Sequence, residues 1–354
     1  MSRALRWLIA GVALLFAIGA PAETLLVVRK TDNALDFVDP GSGLRLASVS
    51  LGHGPHEVAV APGGRLAAVS NYGTRERQGS TLSIVDLEQP REIRRIDLAP
   101  HTRPHGVAWF APDRIAVTTE GSRRLLVVEP GTGRIVNEIE TEQDVSHMVA
   151  IGAGGTRAYV ANIGSGSVTA MDLAGGRKVA DVATGKGTEA IAVTADGLDL
   201  WAGAREDGQI VIVDTRSLAV AARIALPGIP IRIAMAPGGQ TAFVTCAGSS
   251  EIVAFDVDTR RERMRRRIDV PLAPGADQRP YARLAGGSAL PVGLLASPDG
   301  RTVYVAATMG DVVLRLDAAT LAVQQTIPVG GEPDGLGVTD VIPRAECHAC
   351  TPDP

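Results

Sequence analysis

Three of the chain's six histidines occur in the same short sequence context. They are His56 in GPHEVAV, His105 in RPHGVAW and His147 in VSHMVAI. Neutral imidazoles joined by a carboxylate are a common ligand set for zinc and other divalent metals. Without a metal, an imidazole can act as a general base in catalysis. These three histidines are therefore the first candidates for chemistry.

Four other phrases align with them: GTEAIAV, IPIRIAM, LPVGLLA and EPDGLGV. The aligned anchor residues are Pro55, Pro104, Ser146, Thr188, Pro230, Pro291 and Pro333. Four of the six intervals between anchors are 42 residues, and the other two, 49 and 61, contain insertions. The residues directly after the anchors are His56, His105, His147, Glu189, Ile231, Val292 and Asp334. A repeat of this length is typical of one β-propeller blade.

Each repeat contains four short apolar runs separated by turn signals. Glycine-rich turns such as APGG and SPDG separate the first run from the second, where glycine tolerates positive φ. The third run ends in an acidic residue in all seven repeats: Asp39, Asp86, Glu129, Asp172, Asp214, Asp256 and Asp317. We interpret these carboxylates as turn residues that accept hydrogen bonds from the backbone, rather than as cation sites.

The two ends of the chain indicate how the ring closes. The first repeat begins at Thr24 and lacks its first strand, and a matching strand appears near the C-terminus at 335–341. The sequence therefore predicts an all-β, seven-bladed β-propeller with four-stranded blades, closed by the C-terminal strand, which completes blade 1. The predicted organisation is a signal peptide at 1–22, the propeller at 23–341 and a flexible tail at 342–354.

The N-terminal segment and the composition suggest the cellular location. Arg3 and Arg6 precede a short apolar run, and Ala20-Pro21-Ala22 fits a signal-peptidase site. We expect a periplasmic or secreted protein with no membrane span after cleavage; an uncleaved anchor is the alternative. Loss of the two arginines takes the formal net charge from −4 to −6, and only 3% of residues are aromatic. Both features argue against a nucleic-acid partner, and we expect a monomer.

The residues after the anchors should lie at the mouth of the central channel, where loops on a rigid scaffold carry function. We assign His56, His105, His147 and Glu189 as candidate catalytic residues. The same four are candidate ligands of a divalent metal, with Zn, Cu, Ca and Mg not distinguished. The alternative is that these polar side chains only line a hydrated channel.

Other polar residues are candidates for ligand contacts at the same face. They are Arg29, Asn71, Glu120, Asn162, Arg205, Arg232 and Asp334. The two insertions, at 71–80 and 271–289, are assigned to loops of the mouth face, where long loops commonly bind ligands.

Two strings carry a family resemblance. AYVANIGSGSVTAMDL and SPDGRTVYVAATMGDVVLRLD resemble the YVTN-repeat family of bacterial seven-bladed propellers. That family is related to the lactonase-type, phosphogluconolactonase-like propellers and more distantly to the haem d1 domain of nitrite reductase. The resemblance implies His, Arg and Glu at the channel mouth, a pattern that His56, His105 and Glu189 match. His147 follows Val145-Ser146 where the lactonases have a Pro-Arg-His phrase, so a sugar-phosphate lactone is not expected as the substrate.

Three functions follow as hypotheses. The first is an exported YVTN-type propeller that binds a small ligand or a metal at its His-rich mouth. The second is a lactonase-like or metal-assisted hydrolase, and the third is a non-catalytic envelope scaffold for protein partners. The tail residues Cys347, His348 and Cys350 could form a disulfide, bind a metal or have no role.

Overall fold

The computed structural model describes residues 23–282 and 286–344. The predicted signal peptide at 1–22 and the tail cysteines Cys347 and Cys350 lie outside these ranges. The described part includes three single-turn 3₁₀ segments, at Ala153–Gly155, Ala276–Gln278 and Thr308–Gly310. No helix in this part combines the length and apolar character needed to cross a membrane.

The described residues form strands arranged as seven four-stranded sheets. Blades 1 to 4 contain β1 (Thr24–Arg29), β2 (Ala34–Val38), β3 (Arg45–Ser50), β4 (Pro55–Val60), β5 (Leu66–Gly73), β6 (Gln78–Asp86), β7 (Arg91–Asp97), β8 (Pro104–Ala111), β9 (Arg114–Thr119), β10 (Arg124–Glu129), β11 (Arg134–Glu140), β12 (Ser146–Ile151), β13 (Arg157–Asn162), β14 (Ser167–Asp172) and β15 (Arg177–Ala183). Blades 5 to 7 and the closing strand contain β16 (Thr188–Val193), β17 (Asp199–Ala204), β18 (Gln209–Asp214), β19 (Val220–Ala225), β20 (Pro230–Met235), β21 (Thr241–Cys246), β22 (Glu251–Asp256), β23 (Glu262–Arg267), β24 (Pro291–Ala296), β25 (Thr302–Ala307), β26 (Val312–Asp317), β27 (Val323–Pro328) and β28 (Pro333–Thr339).

The first sheet has the order β28-β1-β2-β3, and each of the other six contains four strands consecutive in sequence. The predicted fold is therefore confirmed, including closure by the C-terminal strand. The closing strand begins at Pro333, two residues before the predicted start, because the anchor proline already pairs with Arg29. Apolar packing adds to the closure, since Leu25 and Val27 of blade 1 cluster with Tyr304 and Val313 of blade 7.

All seven anchors are the first residues of the innermost strands. Each anchor pairs with the last or near-last residue of its neighbouring strand, as in Pro104 with Thr119 and Ser146 with Asn162. A β-bulge follows every anchor, so that one extra residue enters the inner strand. Bulges of this kind redirect side chains, and here they decide which residues face the channel.

The acidic residues that end the third strands stabilise turns, as predicted. Asp214 Oδ1 accepts hydrogen bonds from the amides of Arg216 and Ser217, at 3.1 and 2.7 Å. Asp317 Oδ1 likewise accepts hydrogen bonds from the amides of Ala319 and Thr320. These bonds to the ionised form lower the pKa of Asp214. Such carboxylates are occupied by their own turns and are not cation ligands.

Candidate functional site

The bulges place two consecutive residues of an inner strand toward the channel. In blade 2, His56 and Glu57 lie between the paired residues Pro55 and Val58. His56 Nδ1 lies 3.3 Å from Asp334 Oδ2 of blade 1, and Glu57 forms an ion pair with Arg232 of blade 6. The channel therefore has two polar layers, an upper one at the position after the anchor and a lower one at the next position.

The three predicted histidines form a continuous row in the upper layer. The ring centroids are 5.0 Å apart for His56 and His105 and 3.5 Å apart for His105 and His147. Tyr72 packs against the row, with its ring 4.6 Å from that of His56. His105 is only 3% exposed, and its Nδ1 has no hydrogen-bond partner among the described residues.

His147 lies between two carboxylates. Its Nδ1 is 2.5 Å from Glu120 Oε1, and its Nε2 is 3.4 Å from Glu189 Oε1. Tyr72 donates a 2.7 Å hydrogen bond to the other oxygen of Glu120, and Arg205 pairs with the other oxygen of Glu189. Burial opposes the charge on His147, but the two carboxylates outweigh it and raise its pKa to about 9. His147 is therefore an imidazolium at neutral pH.

The other two histidines are neutral. Burial, together with the nearby Lys30 cation, lowers the pKa of His56 to about 3 despite the Asp334 carboxylate. Burial and the charge on His147 also lower the pKa of His105 well below its usual value. The row thus presents two neutral imidazoles beside one charged imidazole.

An ion-pair network closes the lower layer. Arg232 contacts Glu57, and its Nη atoms lie 3.5 Å from Glu189 Oε1 and 3.9 Å from Asp334 Oδ1. Lys30 Nζ lies 3.2 Å from Asp334 Oδ2. All of these side chains are at most 12% exposed. Every buried carboxylate at the mouth has a cationic neighbour, as buried charges require.

The insertion at 271–289 covers the apolar side of the mouth. Ala276 packs with Ile231 and Val292, the two apolar residues of the upper layer. Lys30 Nζ lies 4.0 Å from the centroid of the Tyr281 ring, so the insertion also reaches the polar side. The mouth therefore has an apolar half under this cover and a polar half formed by the histidine row.

The structure brings eight of the predicted site residues together at the mouth: His56, His105, His147, Glu120, Glu189, Arg205, Arg232 and Asp334. The other three lie within their blades. Asn71 Nδ2 donates to Thr81 and Ser83, and Asn162 Nδ2 donates to Thr169.

Arg29 pairs with Asp36 inside blade 1. A role for Arg29, Asn71 and Asn162 in ligand binding stays a prediction.

The sequence patterns did not indicate Lys30, Tyr72 or Glu57 as site residues, although each directly follows a selected residue. The bulge explains only Glu57, which it adds to the inner strand next to His56. Lys30 and Tyr72 instead follow Arg29 and Asn71, the residues of the second strands that pair with the anchors.

The four predicted metal ligands do not form one compact group. Among the described residues, the ligand atoms that lie within 4.8 Å of one another belong to His105, Glu120 and His147. Glu189 lies behind His147, and His56 lies on the far side of His105. The compact group therefore contains Glu120 as its carboxylate, in place of the predicted Glu189.

We expect the melting temperature, measured with a chelator present, to be highest near the ordinary histidine pKa of about 6.5. The folded-state pKa of His147 is raised, so its stabilising contribution is complete below pH 6.5 and is lost as the pH rises toward 9. The folded-state pKa of His56 is lowered, so its contribution is present above pH 6.5 and is lost as the pH falls toward 3.

Calorimetry between about pH 4 and pH 10 measures this dependence. The variant His147→Gln should flatten the alkaline limb and leave the acid limb in place. An alkaline limb that is the same in this variant as in the parent would contradict the assignment of His147 as an imidazolium.

Comparisons with known proteins agree with the fold. The family model described as the cytochrome D1 heme domain matches residues 111–246. Periplasmic gluconolactonase from Pseudomonas aeruginosa is similar over 90% of this chain and 99% of that one, with 18% identity and a TM-score of 0.72. Kuenenia stuttgartiensis hydrazine synthase is similar over 88% of this chain and 100% of the matched chain, with 19% identity and a TM-score of 0.68.

These two structures stand among 1638 matching chains of solved structures, so the likeness is to a widespread fold. No curated protein matches the chain. A shared fold at this identity does not transfer an activity. The expected relation to lactonase-type propellers is confirmed at the level of the fold, and the YVTN family is compatible with it. The chain is a seven-bladed β-propeller with the architecture found in gluconolactonase, hydrazine synthase and the cytochrome D1 heme domain.

Proposed function

We propose that this chain is an exported, periplasmic propeller that binds a small polar ligand at the histidine row. One observation carries the proposal: the upper layer is polar in five blades but apolar at Ile231 and Val292. The fold itself therefore accepts apolar residues at this position. Buried ionic groups are commonly no more stabilising than apolar residues of similar size, so the polar half has a use beyond stability.

The polar half offers complementary groups for such a ligand. Arg205 is 26% exposed and can bind an oxygen of the ligand while it remains paired with Glu189. The neutral imidazoles of His56 and His105 each provide one donor and one acceptor. The Glu57–Arg232 pair closes the site from below, which favours a ligand that enters from the mouth face and stays there.

A divalent metal is a more specific form of this proposal. His105, Glu120 and His147 form a two-His, one-carboxylate set, which zinc enzymes use with an open coordination position. Glu189, held by Arg205, would orient His147 through its Nε2, as outer-shell carboxylates do. The 2.5 Å contact between His147 and Glu120 would have to widen to admit an ion. A metal-free ligand site therefore needs less rearrangement.

Hydrolysis of a lactone or ester is the second candidate function. The similarity to a structure described as a gluconolactonase favours it, as does the neutral His105 beside the charged His147. A base is most effective when its pKa is close to the working pH. The lowered pKa of His56, about 3, makes that residue a weak base, so binding is the better-supported function.

Haem, which the matched family model's description names, does not fit this mouth. A neutral histidine could ligate haem iron, but His105 is 3% exposed and its ring is stacked 3.5 Å from that of His147. The insertion covers the opposite half of the mouth through Ala276. A porphyrin would have to displace both, so no role for haem is assigned.

The test measures thermal stabilisation of the purified protein by gluconate and by zinc, with elemental analysis for Zn, Cu, Ca and Mg. A ligand present at a hundred times its Kd should stabilise the fold by about 2.7 kcal/mol. The variant His105→Ala should lose this effect. His101→Ala is the matched control, because His101 is also buried but contacts Ser122 and no residue of the histidine row.

Turnover of glucono-lactone by the parent, lost in His105→Ala, would identify a hydrolase instead of a binding protein. Absence of bound metal, of stabilisation and of turnover would contradict the ligand site and favour the envelope scaffold.

A further inference from the structure

A cavity separate from the histidine row lies at the rim of the mouth face, between blades 1 and 2. Its volume is about 360 Å³, within the range that holds a small molecule. We call it the blade 1–2 groove. It is lined by Asn33, Leu51, Gly52, His53, Asn71, Arg77, Gln78, Gly79, Ser80, Thr81 and Arg95.

The groove is basic in a protein that is acidic overall. Its lining residues include Arg77, Arg95 and His53, and none of these described lining residues is Asp or Glu. Arg77 bonds Thr74 through its backbone amide, and its guanidinium pairs with no carboxylate of the described chain. Glu92 binds Arg95 through Nε and Nη2, at 2.9 and 2.6 Å, which leaves Nη1 available.

Another inter-blade groove of the same chain can be compared with the blade 1–2 groove. A groove of about 660 Å³ lies at the equivalent place between blades 4 and 5. Arg223 on β19 occupies the same register position there as Arg95 on β7. That second groove also contains Glu206 and Asp207, so its charge is mixed. The blade 4–5 groove therefore does not share the basic character of the blade 1–2 groove.

The insertion in blade 2 builds one wall of the groove. Strands β5 and β6 extend beyond the usual blade length, and their hairpin supplies Arg77, Gln78 and Gly79. At the base, Asn71 is fully buried, and its Oδ1 has no hydrogen-bond partner among the described residues. The groove thus combines a guanidinium that has no carboxylate partner in the described chain with a buried amide oxygen, an acceptor that only a donor on the ligand, such as a hydroxyl group, could satisfy.

We propose that the blade 1–2 groove is a second binding site, which takes a small molecule bearing a phosphate or carboxylate group. A guanidinium binds such oxyanions through two parallel hydrogen bonds. His53 and the Nη1 of Arg95 add further donors to the lining of the groove. This site is separate from the histidine row and does not depend on the function proposed for it.

Isothermal titration calorimetry at low ionic strength tests the site, with inorganic phosphate and citrate as probes and chloride as the ionic-strength control. We expect one-to-one binding of phosphate or citrate, weakened about tenfold or more by Arg77→Gln. Arg223→Gln is the matched control, because it removes the equivalent arginine of the mixed groove, and it should leave the binding unchanged.

The outcomes separate the alternatives. Tighter binding of phosphate indicates a phosphate-bearing ligand, and tighter binding of citrate indicates a carboxylate-bearing one. Binding that survives in His105→Ala shows independence from the mouth. The proposal is overturned if neither probe binds, or if Arg77→Gln binds as the parent does with an unchanged melting temperature.

Discussion

Replacing Arg232 with methionine should lower the free energy of unfolding by about 3–5 kcal/mol. Arg232 is the cation shared by Glu57 in the lower layer of the channel and by Glu189 and Asp334 in the upper layer. Methionine keeps most of the side-chain volume but leaves Glu57 buried without a partner. Denaturant unfolding at neutral pH measures the loss. The loss should shrink at lower pH, where Glu57 can bind a proton.

The double variant Glu57→Leu, Arg232→Met is the control for this prediction. Glu189 keeps Arg205 and His147 as partners, and Asp334 keeps Lys30. The double variant should therefore be much more stable than the single Arg232→Met variant, because no unpaired charge remains in the lower layer. If the single and the double variant lose the same free energy of unfolding, the unpaired charge of Glu57 is not the cause of the loss.

Replacing Gly293 with alanine should cost about 3 kcal/mol, a large effect for one methyl group. A Cβ at this position would lie 2.0 Å from the backbone oxygen of Asp334 and 2.9 Å from the Cβ of Ala306. The Asp334 oxygen belongs to a paired strand, so it can move away from the new methyl group only if β24 and β28 separate. The variant should therefore also disturb the mouth, and it should unfold at lower denaturant concentration.

Gly238→Ala provides the matched control. Gly238 has no heavy atom within 4 Å of an added Cβ and no positive φ. Its replacement should change stability by no more than about 0.5 kcal/mol. If Gly293→Ala and Gly238→Ala unfold together, the inner strands of blades 7 and 1 are farther apart than the structure places them.

The sequence was sufficient to predict the fold because each blade repeats the same physical pattern. Anchors such as Pro55 and Pro104 begin the inner strands, and Asp214 and Asp317 end third strands with turn hydrogen bonds. These features are local, so they can be read from short segments. The pairing of inner and second strands, such as Pro55 with Asn71, became visible only in the structure.

The site was predictable only in part, because its lower layer depends on contacts across the ring. Glu57 and Arg232 are 175 residues apart in sequence and pair only because seven blades close into a circle. The sequence did contain an indication of this pair. At the second position after the anchor, only Glu57 and Arg232 are charged, and the other five residues are Gly106, Met148, Ala190, Gly293 and Gly335. Two opposite charges among small or apolar residues in one narrow layer should pair.

Tyr72 was not selected although it directly follows Asn71, which was. Alternation along a strand gives the two residues opposite sides, and Asn71 uses its side chain on Thr81 and Ser83 inside the blade. Tyr72 packs on His56 and bonds Glu120. Which side of β5 faces the channel depends on how blade 2 stands in the closed ring, which no pattern in one strand reveals.

The join between β28 and β1 has a consequence for how the protein is made. Leu25 of β1 pairs with Val338 of β28, so a strand made early in the described chain finds its partner only after residues 333–339 have been made. Until then, β1 has an unpaired inner edge, which is a template for association with another chain. A transcript truncated before residue 333 yields a protein whose blade 1 stays open. The ring therefore closes only in a chain that includes β28, because that strand covers the edge of β1.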